Sequence, residues 1–149
     1  MDMVRLADRY FDSWNSHYSD SVLQVFGPGG TLRGPFAVHG VTGSKLVSYA
    51  IRLWQAFPDF FIQSEQPVFC SKRVYVEWVL RGTHEGELFG WSATGRPVML
   101  RGVEVIDCRI PRRLMVCSFF DALELWRQTQ SRGESTTTAD PPKLPYGDF

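Results

Sequence analysis

The sequence has 149 residues, the size of one domain, so a two-domain enzyme is excluded. Hydrophobic residues make up 44% and aromatic residues 14% of the chain, which is enough apolar surface for a core and excludes disorder of the whole chain. The 16 basic and 16 acidic residues balance, so no net charge attracts a polyanion and we expect no nucleic-acid partner.

The first part of the chain is predicted to be helical. Apolar residues recur at spacings of three and four from Met3 to Trp14, so they lie on one stripe of an amphipathic helix. Ser19 or Asp20 is a candidate N-cap for a short second helix. The glycines and proline of residues 27–30 are predicted to end this second helix.

A turn-rich segment and a third helix follow. Residues 34–40 are bounded by glycines and leave room for one short strand at most. Thr42 or Ser44 is a candidate N-cap for the third helix, whose apolar residues again recur at helical spacing. Because the residue before a proline disfavours the helical conformation, this helix is predicted to end at Phe57, before Pro58.

The second half of the chain is predicted to form β-strands and one last helix. From residue 60 the apolar residues alternate, and β-branched and aromatic residues become frequent. Strands are predicted near residues 60–69, 72–83, 95–108 and 113–120. Asp121 and Glu124 have the spacing of a capping box, which predicts a short helix to about Gln130.

The last two strands are expected to form a hairpin around residues 110–113. If the loop has an odd number of residues or a bulge, Glu104 lies opposite Ser118 and Gly102 lies opposite Phe120. These four positions then share one face of the sheet. We assign this face to a ligand cleft.

Residues 1–130 are predicted to form one domain. Residues 131–149 contain a Ser/Thr cluster and three of the nine prolines, without helical or strand periodicity, so we expect a flexible C-terminal tail. No apolar run is long enough to span a membrane, and the N-terminus lacks the pattern of a signal peptide. The protein is therefore expected to be soluble and cytoplasmic, without a membrane partner.

The three cysteines indicate neither a disulfide framework nor a metal site. Cys70, Cys108 and Cys117 are odd in number and match no CxxC spacing. We interpret them as reduced core residues. In the expected hairpin, Cys108 and Cys117 point to opposite faces, so they cannot easily bond to each other.

The order of elements indicates the fold class. Helices come first and a run of strands follows, which is typical of an α+β fold rather than of alternating strands and helices. We expect a curved antiparallel sheet with the helices packed on its concave face. The space between a curved sheet and its helices is an apolar cleft, where small-molecule sites commonly lie.

Six groups of residues carry a resemblance to a known family. They run in the family's order over nearly the whole chain, from about residue 4 to 130, at residues 14–17 (WNSH), 56–60 (AFPDF), 81–86 (RGTHEG) with 89–90 (FG), 94–96 (TGR), 101–105 (RGVEV) and 120–123 (FDAL). The sequence resembles the SnoaL-like polyketide cyclase family, within the nuclear-transport-factor-2-like and ketosteroid-isomerase-like fold. The resemblance implies this fold, whose members perform many different chemistries.

The resemblance also implies where an active site lies. In family members that close a ring by aldol addition, an aspartate acts as general acid and base at the position that aligns with Ser118. The glutamine and histidine that assist it align with Gly102 and Glu104, and two helical substrate-binding positions align with Trp14 and Ala50. The family's aldol residues are therefore not carried over, and Glu104 is the acid or base that remains.

Glu104 and Ser118 are our candidate catalytic residues. Glu104 is a carboxylate in an apolar strand, and burial raises the pKa of such a group toward neutral pH, where it can move protons. The alternative for Glu104 is an ion pair with an arginine, such as Arg81 or Arg101, or a hydrogen bond that orders the sheet. Ser118 can donate a hydrogen bond to Glu104 or to a substrate oxygen, but no histidine is placed to activate it as a nucleophile.

Five aromatic residues are our candidate substrate-binding residues. Flat, rigid side chains give a bulky ligand a large contact area with little loss of entropy. These residues are Tyr10, Trp14, Trp54, Trp78 and Phe120. The three histidines are scattered without paired carboxylates, so we expect no metal and no cofactor.

Two functions of different classes fit these residues. The first is a cofactor-independent cyclase or isomerase that acts on a polyketide-like or terpenoid-like intermediate of secondary metabolism, by acid–base catalysis and conformational control in an apolar cleft. The alternative is a non-catalytic protein that binds a hydrophobic metabolite. In either case the expected partners are a small hydrophobic molecule and a second copy of the chain, held by the outer sheet face with Val103 and Val105.

Overall fold

The computed structural model describes residues 2–130, and the predicted tail, residues 131–149, lies outside the described residues. The four helices of residues 2–130 are α1 (Met3–Asn15), α2 (Ser19–Phe26), α3 (Ser44–Ala56) and α4 (Ala122–Thr129). The seven strands of the same residues are β1 (Thr31–Gly34), β2 (Ala37–Val41), β3 (Phe61–Ser64), β4 (Val68–Cys70), β5 (Arg73–Thr83), β6 (Pro97–Ile110) and β7 (Arg113–Phe120). The predicted α+β class is confirmed.

The N-caps of the helices agree only partly with the prediction. The carboxylate of Asp121 accepts hydrogen bonds from the amides of the second and third residues of α4, which confirms the predicted cap. The N-cap positions of α2 and α3 are Tyr18 and Gly43, and neither helix has a side-chain cap, so the caps predicted for them are wrong. Tertiary packing of the apolar helix faces therefore carries most of their stability.

All the strands belong to one curved sheet with the order β2-β1-β7-β6-β5-β3, and β4 pairs beside β3 on β5. The one short strand that the sequence allows in residues 34–40 is β2, but the sequence did not predict β1, which pairs with β2 in a hairpin at the sheet edge. Neighbouring strands are antiparallel except β1 and β7, which pair in parallel through residues 31–33 and 115–117. The strand predicted over residues 60–69 is two strands that pair with different parts of β5.

The hairpin of β6 and β7 positions the site. Glu104 pairs with Ser118 and Gly102 with Phe120, as the sequence predicts. A bulge between Asp107 and Ile110 supplies the extra residue on which that register depends.

The core lies between the concave face of the sheet and the helices. The inward side chains of β5 are buried: Val74, Val76, Trp78 and Leu80. Helix α1 packs on β3 and on α2, and α4 packs on β6. Within residues 2–130, no helix combines the length and apolar composition that a membrane span requires.

The cysteines are reduced, but they do not all lie in the core. None of the three forms a disulfide. Cys108 is buried and Cys117 is partly buried, whereas Cys70 is exposed on the short strand β4. The interpretation of all three as core residues is therefore wrong for Cys70, because all three residues of β4 are exposed.

Candidate active site

A buried carboxyl–hydroxyl pair lies at the centre of the concave face. The Oγ of Ser118 donates a hydrogen bond of 2.9 Å to Oε1 of Glu104, across the strand pair β6–β7. Glu104 is only 5% exposed and Ser118 9%. The structure thus brings together the two side chains that we proposed as catalytic, and it orients the carboxyl group through one of its oxygens.

The environment of Glu104 favours its neutral form. Burial raises the pKa of Glu104 to about 8, against the opposing effect of the nearby Ser118 and Tyr10 hydroxyls. Among residues 2–130, no arginine forms an ion pair with Glu104, and Arg81 and Arg101 are exposed. A pKa of about 8 leaves roughly nine-tenths of the group protonated at pH 7.

The second oxygen of this carboxyl group is available for chemistry. Oε2 of Glu104 is buried and has no hydrogen-bond partner within residues 2–130. The Tyr10 hydroxyl is near enough to affect the pKa of Glu104, but it does not complete a well-aligned hydrogen bond to Oε2. A buried polar atom without a partner is costly, so a group that binds in this space gains by pairing with Oε2.

Two phenols surround the carboxyl group. Burial, and next the charge of Glu104, raise the pKa of Tyr10 well above its ordinary value. The same two causes raise the pKa of Tyr49. Both hydroxyls therefore stay protonated across the physiological pH range and remain possible hydrogen-bond donors.

Glu104 and Ser118 form part of the lining of an apolar cavity between the helices and the sheet. The cavity has about 50 Å³ of space that a water-sized molecule can reach, within about 560 Å³ of empty space that is partly open to solvent. Most of the lining side chains are buried, but Leu53 on α3 and Phe120 at the end of β7 are partly exposed. Leu53 and Phe120 are therefore the lining residues most accessible to solvent.

Four of the five aromatic residues proposed for substrate binding line this cavity. They are Tyr10, Trp14, Trp78 and Phe120. Trp54 is outside the lining: its indole N–H donates a 3.0 Å hydrogen bond to the carbonyl oxygen of Trp14, and its ring stacks on His17. Trp54 thus ties α3 to α1 and acts on the cavity only through the position of Trp14.

Sequence reasoning missed four aromatic residues of the lining, Phe36, Tyr49, Phe57 and Phe60. Tyr49 lies on α3 between Leu46 and Leu53, at spacings of three and four, so the helical period contained the signal. Phe36 lies in the turn between β1 and β2, in the segment read as mostly turn. No local pattern identified it.

The indole ring of Trp78 lies over the neighbouring strand β6. Its ring covers the backbone of Gly102 on the neighbouring strand, with Cζ2 only 2.2 Å from the point where a β-carbon of residue 102 would lie. Its Nε1 is buried and has no hydrogen-bond partner within residues 2–130. The absence of a side chain at position 102 is what gives the indole this room.

Residues 2–130 hold no group of three histidine, cysteine, aspartate or glutamate side chains that is close enough to bind a metal ion. The polar groups of the cavity are instead one carboxyl, hydroxyls and indole N–H groups. These groups can move a proton and can stabilise charge on a substrate oxygen.

A model of the SnoaL-like polyketide cyclase family matches residues 4–129. The chain belongs to this family. No curated protein matches the sequence. The match covers the same part of the chain as the resemblance found in the sequence, from the first turn of α1 to the end of α4.

Solved structures of low sequence identity share the fold of this SnoaL-like protein. A candidate SnoaL-like polyketide cyclase from Jannaschia sp. CCS1 matches with a TM-score of 0.73 and 19% identity over 87% of this chain and 92% of its own. IdmH from Streptomyces antibioticus, a candidate polyketide cyclase, matches with a TM-score of 0.71 and 18% identity over 86% and 98%. AclR from Streptomyces galilaeus, a candidate hydroxylase, matches with a TM-score of 0.71 and 18% identity over 85% and 83%.

Proposed function

We propose that this SnoaL-like protein is a cofactor-independent cyclase or isomerase that acts on a polyketide-like or terpenoid-like intermediate of secondary metabolism. The observation that carries the proposal is Glu104, a buried carboxyl with a pKa of about 8 on the wall of an apolar cavity. A carboxylate of that basicity can take a proton from carbon and return it near neutral pH. Family membership supports a cyclase-type role.

Glu104, Ser118 and Tyr10 each have a separate role in the proposed reaction. Oε2 of ionised Glu104 accepts a proton from a substrate carbon next to a carbonyl group, and the electron pair of the C–H bond moves toward the carbonyl oxygen. The hydroxyl of Ser118 already donates its proton to Oε1 of Glu104, so we assign Ser118 the role of orienting the carboxylate. Tyr10 is the donor for the developing oxyanion. After ring closure or double-bond migration, protonated Glu104 returns the proton to the product.

The small size of the cavity constrains how a substrate enters. About 50 Å³ holds only a few water molecules, whereas drug-sized ligands commonly occupy several hundred Å³. A bulky intermediate therefore requires side chains of the lining to move, and we expect the partly exposed Leu53 and Phe120 to move first. Once bound, the apolar wall folds the substrate into a reactive conformation and excludes water.

The test replaces the proton-transferring group and keeps its volume. Glu104→Gln should abolish conversion of candidate polyketide-like or terpenoid-like intermediates, as followed by mass spectrometry. The matched control is Glu87→Gln, which changes an exposed glutamate in the same way and should leave conversion unchanged. If Glu104→Gln converts substrate at the wild-type rate with the same pH profile, the acid–base role is refuted.

A second candidate function is a binding protein without catalysis. The observation that favours it is Ser118, which stands where ring-closing members of the family carry an acidic residue. The same incubation separates the two functions. A binding protein retains the intermediate unchanged, and Glu104→Gln alters its affinity rather than the yield of product.

We also propose that the protein acts in the cytoplasm as a homodimer. Three cysteines without a disulfide fit a reducing compartment. The outer face of the sheet carries exposed apolar side chains on neighbouring strands, among them Met99, Met115 and Phe119. Such a patch is a candidate for burial in an interface.

A further inference from the structure

Two unpaired polar groups lie on the inner face of neighbouring strands. The buried nitrogen and oxygen atoms without a hydrogen-bond partner in residues 2–130 include Nε1 of Trp78 on β5 and Oε2 of Glu104 on β6. Both side chains line the cavity. The indole of Trp14 also lines the cavity, and its Nε1 is likewise buried without a hydrogen-bond partner among these residues, although the Tyr10 hydroxyl lies near it. Of the two indoles, that of Trp78 lies on β5, which pairs directly with the strand that carries Glu104.

The strand register sets the distance between these two groups. Trp78 pairs with Gly102, and Glu104 follows two residues later on the same face of β6, so Trp78 and Glu104 are diagonal neighbours. Diagonal positions of an antiparallel pair are about 7–8 Å apart. A single small molecule can span that distance and contact both groups.

The indole of Trp78 lies over the strand that carries Glu104. Its Cζ2 and Cη2 are the ring atoms nearest to Gly102, and within the ring Cζ2 is separated from Nε1 by one atom. A side chain at position 102 would exclude the indole from this place.

We propose that the indole N–H of Trp78 binds an oxygen of the substrate and makes the cavity selective for molecules with a carbonyl or hydroxyl group over hydrocarbons of the same shape. The inference rests on the proposed function, because it takes this cavity as the substrate site. An oxygen at Trp78 leaves a carbon several ångströms away facing Glu104 Oε2. A hydrocarbon leaves both polar groups unpaired, and such buried groups discriminate strongly against ligands that cannot pair with them.

The test uses two ligands that differ in one group, acetophenone and ethylbenzene. The wild-type protein is labelled with nitrogen-15, and the indole signals of its five tryptophans are assigned with Trp→Phe variants. Acetophenone should move the Trp78 indole proton downfield on saturable binding, and ethylbenzene should not. Equal shifts with both ligands, or no saturable binding of acetophenone, would overturn the proposal.

A variant measures the contribution of the donor. Trp78→Phe keeps an aromatic ring and removes the N–H, so acetophenone should bind about 3- to 10-fold more weakly while ethylbenzene binds nearly as before. Trp126→Phe is the matched control: it removes the indole N–H of a partly exposed tryptophan on α4 outside the lining, and the ratio of the two affinities should stay unchanged. If the affinity for acetophenone relative to ethylbenzene falls in both variants, or in neither, Trp78 is not the donor.

These readouts are independent of turnover. If the shifts and affinity ratios are as expected but Glu104→Gln remains fully active, the acid–base function fails and the Trp78 assignment stands. If Glu104→Gln is inactive but the two ligands give the same response, the Trp78 assignment fails alone.

Discussion

The indole of Trp78 occupies the space that any side chain at position 102 would need. A β-carbon at Gly102 would lie 2.2 Å from Cζ2 and 2.6 Å from Cη2 of Trp78, and 2.7 Å from the carbonyl oxygen of Phe119. These distances are far inside van der Waals contact. One glycine on β6 therefore decides how the ring on β5 lies in the cavity.

Gly102→Ala should destabilise the protein by about 1–3 kcal/mol, because the added methyl group overpacks a dense region. Urea unfolding followed by tryptophan fluorescence measures the loss. In Trp78→Leu the ring is absent, so adding Gly102→Ala should cost less than it does in the wild type. Equal costs in both backgrounds would show that the Phe119 backbone, and not Trp78, causes the clash.

Glu104 should make the protein less stable as pH rises. Its pKa is raised to about 8 in the folded protein, against 4.5 for the ordinary group, so the folded state holds a proton that the unfolded chain releases. The stabilisation is fully present below about pH 4.5 and is lost as pH rises through about 8. The total is on the order of a few kcal/mol.

Glu104→Gln should remove this dependence, so the variant gains stability relative to the wild type as pH rises from 5 to 9. Chemical unfolding at several pH values gives the comparison. Glu77→Gln, which alters an exposed glutamate on β5, should follow the wild-type curve. Parallel curves for wild type and Glu104→Gln would mean that Glu104 is ionised at neutral pH in the folded protein.

Ser118→Ala should shift the pH dependence of the reaction upward. The Ser118 hydroxyl lowers the pKa of Glu104 by donating to its ionised form, so the pKa rises when the hydroxyl is removed. When a general base carries the reaction, kcat/KM rises with pH and reaches a plateau above the pKa of the base. In Ser118→Ala the midpoint of this rise should lie above the value of about 8 for Glu104 in the wild type. Ser48→Ala, an exposed position on α3, is the control, and an unmoved midpoint would argue against orientation by Ser118.

The sequence predicted the central pair for a local reason. Alternation along a strand assigns every second residue to one face, and a short hairpin joins two such strands with few possible registers. Glu104 and Ser118 lie within one hairpin, so their pairing followed once a bulge was assumed. The aromatic lining of α1 could be assigned for the same kind of reason, from the helical period.

The parts that could not be predicted depend on contacts between distant segments. The pairing of β1 with β7 joins residues more than 80 positions apart and has no local signal. Trp54 has the same helical spacing as the lining residues of α3, yet its indole N–H donates a hydrogen bond to the carbonyl oxygen of Trp14 and its ring lies outside the lining. Which side of a helix stripe faces a cavity depends on the neighbouring helix, and one sequence does not contain that information.

Asp107 should stabilise the end of the β6–β7 hairpin. Two arginines contact its carboxylate: Nη2 of Arg109 lies 2.6 Å and Nε of Arg73 lies 3.2 Å from Oδ2. Hydrogen bonds from Arg109, together with the two charges, lower the pKa of Asp107 to about 2. Its contribution is therefore present above about pH 3.8 and is lost as pH falls through about 2.

Asp107→Asn should lower the stability at pH 7 by about 1 kcal/mol, because both arginines are half exposed and solvent screens the pairs. The difference from the wild type should shrink as pH falls toward 2. Asp8→Asn, an exposed aspartate of α1, serves as the control for loss of one negative charge. A difference that persists at pH 2 would point to packing rather than charge.

Phe119→Asp tests the proposed dimer. Phe119 is 58% exposed on the outer face, so a charge there should not disturb the core but should oppose burial against a second copy. Light scattering after gel filtration should show a dimer for the wild type and a monomer for this variant. Ile51→Asp, on the exposed side of α3, should remain dimeric. A monomeric wild-type protein at micromolar concentration contradicts the proposal.

The parallel contact between β1 and β7 has a consequence for how the protein is made. Residues 31–33 leave the ribosome long before residues 115–117, so β1 and its hairpin partner have no neighbouring strand during most of translation. Forming this pair closes a loop of more than 80 residues, which makes it a slow, late event. The cavity wall that contains Leu32 is therefore completed only when synthesis has passed β7, and a nascent chain of this protein has no binding pocket to offer its ligand.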